Sequence, residues 1–554
     1  MKMAKENSTP TKKLLKWLWH NSKNAKGQAF VSIAIGVADV ACQLLWVIAC
    51  KHAIDIATGV VDGSLKKTGI AIGALMLAEI MLRAASRWVH SVIGNRIRNG
   101  LRLKIFARLL KCDWLHLYKR HTGDLVNRLE SDVSNITSLI TEITPATIVV
   151  LIQLAASFGL LYYMSPVLAL SVTVVLPVCL LASRFYVRKM RVYNRQVRNS
   201  DSRIQAVLQE SLQHKEIIKA MEQNGSTEQR LNNLQGELQA QVSRRAIFST
   251  GSFTLIHLGF AAGYLIAFIW GVCGLRDAVI TYGTMAAYLQ LVGLIQRPTM
   301  DLSSYIPGIT SALTATERLY ELDVIPLEQQ GESIILNNTA GVRFNNVTFS
   351  YEEKSRRILD KFSYDFPPGS ITAIVGETGS GKTTLLRLLI ALMTPREGEI
   401  ELYNSNERHL VSTQTRGNIV YIPQGNTLIS GTIRENLLMG NPNATEEQMR
   451  EALHIACADY VFDLPDGIDT PIAESGGGVS EGQAQRISVA RSLLRNGSIL
   501  IFDEATSALD EDTEQEMLTR VTKEKRDKTL IFVTHRPAVI KHCTQVLKIE
   551  RTKA

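Results

Sequence analysis

The sequence offers little to a disulfide framework or a structural zinc site. Its 554 residues include only 7 cysteines, an odd number that is scattered along the chain without a CxxC pair. Disulfide-rich domains and zinc modules need closely spaced cysteines, so both classes are excluded. Charged residues are also sparse at 20%, against 46% hydrophobic residues. With a mean hydropathy of +0.05, this composition excludes a disordered chain and is high for a water-soluble enzyme.

The net charge of +9 is divided unevenly along the chain. Lys and Arg outnumber Asp and Glu in residues 1–325, whereas Asp and Glu are in excess in residues 326–554. The basic excess therefore belongs to the apolar half. This asymmetry indicates cations beside anionic lipid rather than a nucleic-acid groove, which would need the basic cluster on the soluble half. We expect membrane lipid as a partner and no nucleic acid.

Apolar runs of about 20 residues, the length that crosses a hydrocarbon core of about 30 Å, predict membrane-spanning helices. The third and fourth runs are separated only by the turn Met164–Pro166, and the fifth and sixth by a short loop around Arg276 and Asp277. The candidate spans are residues 28–50, 68–90, 143–164, 166–187, 248–273 and 279–298.

Two connections, at about residues 91–140 and 188–246, are too long and polar for hairpin turns. Their helical periodicity predicts helices that continue the spans into water. Both are rich in Lys and Arg, so the positive-inside rule places them and the N-terminus in the cytosol. No short apolar run with a cleavage site precedes the first span, so we expect no cleaved signal peptide. Six spans return the C-terminal half to the cytosol, as expected for a multi-pass protein of the cell or inner membrane.

The first 26 residues contain a basic, indole-rich stretch. Lys12, Lys13 and Lys16 alternate with apolar residues that include Trp17 and Trp19. This pattern is typical of an interfacial helix anchored by tryptophans. A disordered basic tail is the alternative.

Charged residues inside the predicted spans are costly unless they are paired or hydrated. Asp39 lies in the first span, and Glu79 and Arg83 lie in the second at a spacing that allows them to neutralise each other. Each residue taken singly is more simply structural. Together with further polar side chains within the spans they favour a central polar cavity; those side chains are Gln43, Gln153, His257 and Gln290.

A composition shift at residues 323–340 indicates a linker into a soluble domain, 341–554, whose alternating strands and helices predict a largely parallel α/β sheet. The apolar strand Ile371–Val375 runs into the sequence GETGSGKT, which fits the GxxxxGK[ST] phosphate loop in its strand–loop–helix setting. Glycines let backbone N–H groups face phosphates, Lys382 reaches the terminal phosphates, and the Thr383 hydroxyl is a Mg²⁺ ligand. The pattern predicts a site for the phosphates of a nucleotide.

Two further apolar strands end in groups suited to phosphoryl transfer. Ser498–Phe502 ends in Asp503 and Glu504, and Thr529–Val533 is followed by His535. Carboxylates at the end of a buried strand are costly unless a cation or a reacting water uses them. We expect Asp503 to hold Mg²⁺, Glu504 to activate water, and His535 to hydrogen-bond the γ-phosphate.

The ordered set of motifs resembles the ATP-binding cassette (ABC) transporter superfamily, specifically exporter-type half-transporters with six spans ahead of one cassette. Tyr351 matches the family's adenine-stacking aromatic residue, and Gln424 matches the Q-loop residue that senses Mg²⁺. The resemblance extends to the signature segment at residues 479–483, the D-loop at 507–510, and two membrane-half segments at 122–132 and 283–318. It implies a multidomain membrane protein: an all-α six-helix transmembrane domain, 27–322, followed by an α/β P-loop NTPase.

The candidate site residues follow from the phosphate loop and the resemblance together. The expected catalytic groups are Glu504, His535 and Gln424, and the expected Mg²⁺ ligands are Thr383, Gln424 and Asp503. The expected ATP-binding residues are Tyr351, Gly376, Thr378, Gly379, Ser380, Gly381, Lys382, Thr383, Thr384, Ser480, Gly482, Gln483 and Asp510.

The signature segment departs from the family's LSGGQ. Val479 and Glu481 replace its leucine and first glycine, while Ser480, Gly482 and Gln483 remain. In the family this segment covers the nucleotide of the opposite cassette. The Glu481 carboxylate must therefore point away from that phosphate, or it weakens closure by like-charge repulsion. In the exporter X-loop at residues 470–476, which carries Glu474, Ala473 stands where the family usually has glycine.

The resemblance implies ATP-driven export by a dimer, because one cassette cannot close around its own nucleotide. The second half comes from another copy, which we favour, or from a related half-transporter. Closure is expected to reach the spans through tips near residues 114–122 and 212–221, switching them between inward and outward opening. A lipid, an amphipathic drug or a peptide-like molecule is the expected substrate. An ATP-gated channel, a regulatory subunit and an exporter-fold importer are the alternatives.

Overall fold

The chain divides into two compact units. The first comprises residues 1–106 and 125–323, and the second comprises residues 107–124 and 324–554. The computed structural model describes residues 11–21, 26–352, 356–473 and 476–551. Glu474 of the predicted X-loop lies outside these residues.

The first unit is helical. Where Ser165 separates two of its helices, Pro166 occupies the first turn of the second, the helical position at which a missing N–H costs least. Residues 128–132 and 139–143 are short π-helical segments inside a longer helical run. Of the helices up to residue 323, α4 lies in the second unit. These helices are α1 (Thr11–Asn21), α2 (Lys26–Ala57), α3 (Leu65–Leu109), α4 (Trp114–Tyr118), α5 (Thr122–Asn127), α6 (Val133–Ser138), α7 (Thr144–Met164), α8 (Pro166–Gln213), α9 (Lys215–Ala220), α10 (Asn224–Arg276) and α11 (Tyr282–Asp323).

Four helical stretches of the described chain are long and apolar enough to cross a membrane, judged by length and composition. They are Lys26–Ala57, Leu65–Leu109, Thr122–Met164 and Asn224–Arg276. Large apolar side chains of these helices face outward, among them Ile70 at 73% exposure and Trp88 at 63%. Such surface suits contact with lipid rather than water. The predicted helical transmembrane domain is confirmed, and the count of six spans stays a prediction.

The core of the helical unit lies where α2, α7, α10 and α11 meet. Val47, Leu161, Ala267 and Leu291 are fully buried there. At the start of α11, Gly283 allows close approach: a Cβ on it would lie 2.3 Å from the Lys51 carbonyl oxygen. Small residues at such contacts are typical of helix packing in membranes.

The two membrane-half segments that carry the family resemblance are joined to each other. Arg128 donates to the Arg318 carbonyl oxygen at 2.8 Å and pairs with Glu321 at 3.1 Å. Asp132, which is buried, lies 3.9 Å from Arg318. Residues 125–132 are thereby fixed to the end of α11 by charged groups on both sides.

The predicted N-terminal helix forms as α1. The Trp17 indole N–H donates to Asp323 Oδ2 at 2.8 Å, and its ring meets the Tyr320 ring edge-on. One of the two indoles is therefore attached to α11, while Trp19 is 65% exposed. The position of α1 at a membrane interface stays a prediction.

The second unit contains two principal sheets. An antiparallel sheet has the strand order β2-β1-β4-β5, and a parallel sheet has the order β11-β3-β10-β9-β6. The strands are β1 (Gly341–Phe349), β2 (Leu359–Phe366), β3 (Ile371–Val375), β4 (Glu397–Tyr403), β5 (Arg408–Leu410), β6 (Ile419–Ile422), β7 (Gly431–Thr432), β8 (Pro471–Ile472), β9 (Ile499–Asp503), β10 (Thr529–Val533) and β11 (Gln545–Lys548).

Helices cover the parallel sheet and fix its core. Leu385 of α12 and Ile501 of β9 are fully buried in one cluster, and Ile487 of α15 and Phe532 of β10 are buried in another. Because β3, β10 and β9 are parallel neighbours, their carboxyl ends meet at one edge, which is where this sheet class binds ligands. The helices are α12 (Lys382–Leu389), α13 (Ile433–Leu438), α14 (Glu446–Ile455), α15 (Glu481–Leu493), α16 (Glu511–Glu524) and α17 (Pro537–Lys541).

Residues 107–124, which comprise the end of α3, the turn that contains α4 and the start of α5, group with the cassette unit. Their backbone pairs with residues 326–328: the Asp113 N–H donates to the Pro326 carbonyl at 2.9 Å, and the Glu328 N–H to the Lys111 carbonyl at 2.9 Å. Arg416 holds Glu328 through two bonds of 3.1 Å. The turn is thus fixed within the cassette unit by backbone bonds and a bidentate ion pair.

Candidate functional site

The phosphate loop occupies residues 376–381 between β3 and α12. Gly379 and Gly381 have φ of +79° and +109°, in the left-handed region that glycine enters without strain. A Cβ at Gly376 would lie 2.5 Å from the Ile549 carbonyl oxygen. The hydroxyl of Ser380, which is 2% exposed, has no hydrogen-bond partner in the described chain. A buried orphan hydroxyl inside a glycine turn at a helix N-terminus fits an anionic ligand.

Lys382 begins α12 and lies against the loop. Its ammonium donates to the Gly376 carbonyl and to the Glu377 carbonyl, the latter at 3.3 Å, and contacts His535 Nε2 at 3.0 Å. The predicted phosphate-binding lysine and the predicted γ-phosphate histidine are therefore neighbours. Thr383 is exposed at the start of α12, where its hydroxyl is open to a ligand.

Asp503 ends β9 as a mostly buried carboxylate. It accepts a hydrogen bond from the Tyr421 hydroxyl at 2.9 Å. Burial raises the pKa of Asp503, and the bond from Tyr421 opposes that rise. Burial, with the negative charge of Asp503, also raises the pKa of Tyr421 far above its usual value. Tyr421 therefore stays neutral, and its hydrogen bond orients the Asp503 carboxylate.

Glu504 is the next residue and adopts a φ of +47°, which is unusual for a residue with a side chain. Its backbone N–H donates to the Val533 carbonyl of β10 at 3.0 Å. Its carboxylate accepts from Gln424 Nε2 at 2.8 Å and lies 3.9 Å from His535 Nε2. The three groups predicted to be catalytic from separate motifs are therefore in one cluster, with a carboxylate placed to act as a base.

Tyr351 lies against α12. Its hydroxyl contacts Thr384 Oγ1 at 3.2 Å and accepts from Arg387 Nη1 at 3.1 Å. Its ring meets Phe349 edge-on at 5.4 Å. Two residues assigned to ATP binding, Tyr351 and Thr384, thus touch each other. Thr378 lies within the phosphate loop itself.

The signature segment lies at the start of α15. Ser480 caps the helix, accepting from the Gln483 N–H, while the Gln483 side chain accepts from the Ser480 N–H. A Cβ at Gly482 would lie 2.8 Å from the Ala508 carbonyl oxygen, so a glycine is needed for contact with the D-loop. Glu481 is exposed in the first turn of α15, where the helix dipole stabilises its negative charge.

Asp510 ends the D-loop as the cap of α16. Its carboxylate accepts from the Thr513 N–H at 3.0 Å and the Thr513 hydroxyl at 2.9 Å, and these bonds lower the pKa of Asp510. Among the described residues, no hydrogen bond or ion pair joins Ser480, Gly482, Gln483 or Asp510 to the phosphate loop. The predicted site residues therefore fall into two groups within one chain.

Gln485 connects these groups and was missed by the sequence analysis. It donates to the Glu504 carbonyl at 3.3 Å and to Ser507 Oγ at 3.4 Å, and accepts from the Ala508 N–H at 3.1 Å. Its position two residues after Gln483 was the available signal. Tyr421 and Arg387 were also missed, because their partners are distant in sequence. Tyr421 lies three residues before Gln424, and Arg387 lies five after Lys382.

The residues predicted to hold Mg²⁺ are oxygen ligands, which suit that ion. Thr383 offers a hydroxyl, Gln424 an amide oxygen and Asp503 a carboxylate. In the described ranges, no group of three or more His, Cys, Asp and Glu side chains forms a metal-binding cluster. Mg²⁺ commonly completes such a small set of protein ligands with phosphate oxygens and water.

The helical unit contains a cavity of about 390 Å³ that is lined by both polar and apolar side chains. Arg83, which is paired with Glu79, lies 3.7 Å from Asp39 on another helix. Gln43 donates to Asp39 at 2.8 Å and accepts from Gln153 at 3.3 Å. The lining residues are Gln43, Trp46, Met76, Glu79, Arg83, Gln153, Leu294, Pro298 and Asp301.

Groups suited to hydrolysing a nucleotide, in one chain with membrane-length apolar helices, define the class of transport proteins driven by ATP. Residues 29–299 match the family model for the ABC transporter transmembrane region, and residues 359–507 match the family model for the ABC transporter cassette. The chain belongs to the ABC transporter superfamily and is an exporter-type half-transporter, an ATP hydrolase coupled to transport.

Known proteins resemble the chain over most of its length. It is 26% identical over 487 residues to an ATP-dependent lipid A-core flippase of Bordetella avium, covering 87% of this chain and 82% of the flippase. It is 30% identical over 463 residues to the ABC multidrug transporter mdr2 of Aspergillus fumigatus, covering 82% of this chain and 58% of mdr2. A bacterial Atm1-family ABC exporter with ATP bound shares the fold, with a TM-score of 0.77 at 23% identity over 96% of this chain and 95% of that chain.

Proposed function

We propose that two copies of this chain form a dimer that exports a lipid or an amphipathic drug by alternating access. ATP holds the two cassettes together, and each nucleotide lies between the phosphate loop of one copy and the signature segment of the other. Closure moves the spans toward outward opening, and hydrolysis resets them. The N-terminus and the cassettes face the cytosol of a cell or inner membrane.

The division of the site residues into two groups carries this proposal. Lys382, Glu504 and His535 meet at the edge of the parallel sheet. Ser480 and Gln483 instead bond to each other, and Gly482 packs on the D-loop. Exposed groups with the chemistry to bind phosphate, lying apart from the phosphate loop, support completion of the site by a second chain. A second copy supplies both groups, so a homodimer is sufficient, although a related half-transporter would also fit.

Each group of the first cluster has a defined task. Ser380 and Lys382 hold phosphate oxygens, while Thr383, Gln424 and Asp503 would hold Mg²⁺, which neutralises phosphate charge when bound. Glu504 accepts a proton from the attacking water, and Gln424 orients its carboxylate at 2.8 Å. His535, beside Lys382, donates to the oxygen on which negative charge develops.

The cavity in the helical unit supports an amphipathic substrate. Arg83 and Glu79 present charges of both signs beside Trp46 and Leu294 in its lining, and Asp39 lies 3.7 Å from Arg83. A molecule with a polar head and an apolar body suits such a lining. Two relatives, a lipid A-core flippase and a multidrug transporter, are consistent with such a substrate. A peptide-like substrate is the second candidate of this kind.

An ATP-gated channel or a regulatory subunit is the alternative from another class. The presence of Glu504, His535 and Gln424 in one bonded cluster favours a hydrolytic pump over either. An exporter-fold importer differs only in the direction of movement. Counter-flow of a labelled amphiphile in vesicles of known orientation separates these possibilities.

The decisive experiment uses Glu504→Gln in the full-length protein. Loss of the base should lower the ATPase rate by a factor on the order of 10² or more, while ATP binding persists. The variant should form a stable dimer with ATP, measured by mass photometry in nanodiscs. Glu524→Gln, an exposed carboxylate on α16, is the matched control. A Glu504→Gln protein that stays monomeric with ATP would refute the proposed dimer.

A further inference from the structure

Arg387 is the one cation of α12 that faces three aromatic rings of the same unit. Its guanidinium donates to the Tyr351 hydroxyl at 3.1 Å. The same group lies 4.6 Å from the centroid of the Trp114 ring and 4.7 Å from that of Tyr118. Those two rings are stacked on each other at 4.6 Å with an interplanar angle of 25°. One side chain therefore contacts both the predicted adenine-binding tyrosine and the helix α4.

A second contact runs beside the first. Lys119, directly after α4, pairs with Glu352 at 3.0 Å, and Glu352 directly follows Tyr351. Trp114 also packs against the same buried apolar cluster as Tyr351. The segments 114–119 and 351–352 are thus joined by a charged hydrogen bond, cation–π contacts and an ion pair.

The segment that contains α4 is held firmly. Asp113 caps α4 by accepting from the His116 N–H at 3.3 Å, and its own N–H is bonded to Pro326. The segment is also the turn between the long helices α3 and α5, because α3 ends at Leu109 and α5 begins at Thr122. A displacement of either helix end acts on the turn that carries Trp114 and Tyr118.

We propose that Arg387 is a positioning residue for the ATP base: it fixes Tyr351 and makes the orientation of Tyr351 depend on Trp114 and Tyr118. The inference rests on the proposed function, since Tyr351 contacts adenine only in an ATP-binding cassette. Movement of the turn 107–124 changes the affinity for ATP through Arg387, and occupation by the base restrains the turn through the same contacts. Such reciprocity is a requirement of any binding linkage.

Arginine is suited to this task for a geometric reason. Its planar guanidinium donates in its plane to Tyr351 while its faces remain available to aromatic rings. A lysine at position 387 keeps the positive charge but loses the planar fork. Charge and geometry are therefore separable by comparing Arg387→Ala with Arg387→Lys.

The charge of Arg387 also acts on Asp503. Burial raises the pKa of Asp503, and the positive charges of Arg387 and Lys382 are among the effects that oppose this rise. A role limited to Asp503 would change the Mg²⁺ requirement and would survive in Arg387→Lys. A role in positioning Tyr351 would change the affinity for the base and would be lost in both variants.

The experiment measures ATP KM, kcat and Mg²⁺ dependence of the full-length protein in nanodiscs, for Arg387→Ala, Arg387→Lys, Trp114→Ala and Tyr351→Ala, and for the double variants. Arg387→Ala and Arg387→Lys should raise the ATP KM about fivefold to tenfold, with kcat changed less than about twofold. Trp114→Ala should raise the KM about threefold, although Trp114 is not a nucleotide ligand. In the double variants with Tyr351→Ala, neither the Arg387 nor the Trp114 substitution should raise the ATP KM further.

The control is Arg450→Ala. Arg450 stacks on Phe462 at 4.1 Å in another part of the cassette, so its loss removes a similar contact without touching Tyr351. Its ATP KM should equal that of the unaltered protein. Thermal unfolding of every variant checks the fold, and Trp114→Phe replaces Trp114→Ala if the alanine variant unfolds.

Unchanged KM values in Arg387→Ala and Trp114→Ala would overturn the proposal. Effects that add fully to Tyr351→Ala, or a change confined to Mg²⁺ dependence and rescued by Arg387→Lys, would also overturn it. These outcomes are distinct from failure of the proposed function. That failure would appear as a Glu504→Gln protein that hydrolyses ATP normally or never dimerises.

Discussion

The cassette and the helical unit place their polar groups in opposite ways. In the cassette, Lys382, Glu504 and His535 lie at the edge of a sheet whose interior residues, such as Ile501 and Phe532, are almost fully buried. In the helical unit, Glu79 and Arg83 line a cavity with Asp39 beside Arg83, and apolar side chains such as Ile70 face outward. The cassette is therefore organised by exclusion of water from its core, whereas the helical unit presents apolar side chains outward and pairs its charges beside a cavity.

This difference determines which substitutions each unit tolerates without loss of stability. A hydrophobic core tolerates changes at its polar edge, because the edge side chains contribute chemistry more than stability. A bundle in lipid lacks that hydrophobic drive between helices, so close approach at small residues and pairing of charges have more weight. Four substitutions test the comparison, from the largest expected effect to the smallest.

Lys382→Ala should cause the largest change and should confine it to the cassette. Loss of the ammonium that we propose binds the phosphates should weaken ATP binding by a factor on the order of 10². Thermal unfolding should change little, since Lys382 is an edge residue. Titration with a fluorescent ATP analogue measures the affinity, and Lys541→Ala, at the exposed end of α17, is the control. Normal affinity in Lys382→Ala would contradict the phosphate-loop assignment.

Gly283→Ala should destabilise the helical unit. An added Cβ would meet the Lys51 carbonyl oxygen at 2.3 Å and Asp55 Oδ1 at 2.5 Å, so α2 and α11 must separate, at about 1–3 kcal/mol. Gly293→Ala, on the same helix with nothing within 4 Å of the new Cβ, should be neutral. Unfolding in detergent followed by tryptophan fluorescence measures both, and equal stability of the two variants would remove the close-approach argument. ATP affinity should be unchanged in each.

Glu79→Gln should affect coupling to substrate rather than hydrolysis itself. The change leaves Arg83 with Asp39 as its remaining partner in the cavity and alters the charge that a substrate meets. We expect stimulation of the ATPase by an amphiphile to change about fivefold, with the basal rate retained. A lipid A-type glycolipid and a cationic amphipathic dye are the probes. Asp277→Asn, which removes the partner of Arg276 in a loop, is the control. Equal stimulation in both variants would exclude Glu79 from the substrate path.

Tyr421→Phe should cause the smallest change. Burial raises the pKa of Asp503 and the Tyr421 hydrogen bond lowers it, so removal of the hydroxyl raises that pKa further. Protonated Asp503 cannot hold Mg²⁺. Activity should therefore be lost at a higher pH on the acid side than in the unaltered protein, with the Mg²⁺ requirement increased about threefold. ATPase rates across pH and Mg²⁺ concentration measure this. A shift of the acid limb toward lower pH would show that the predicted direction of the change in the Asp503 pKa is wrong.

The comparison also explains what could be predicted. The strand–loop–helix around Lys382 is local, because consecutive residues supply the turn, the N–H groups and the ammonium, and the family match supports it. Tyr421 and Arg387 were missed because their roles depend on partners far along the chain. In the membrane half, spacing predicted the Glu79–Arg83 pair, while the contact of Arg83 with Asp39 required the packing of two helices.

The sequence alone determined the chemistry: helix length in lipid follows from apolar runs, and phosphate binding follows from a glycine turn with its lysine, since both depend on neighbouring residues. Only the tertiary structure decided which distant groups meet. It placed Arg387 against Trp114 and Tyr351, and it kept Ser480 apart from Lys382. The reason is physical: contacts between remote residues depend on how helices and sheets pack, and packing depends on the whole chain at once.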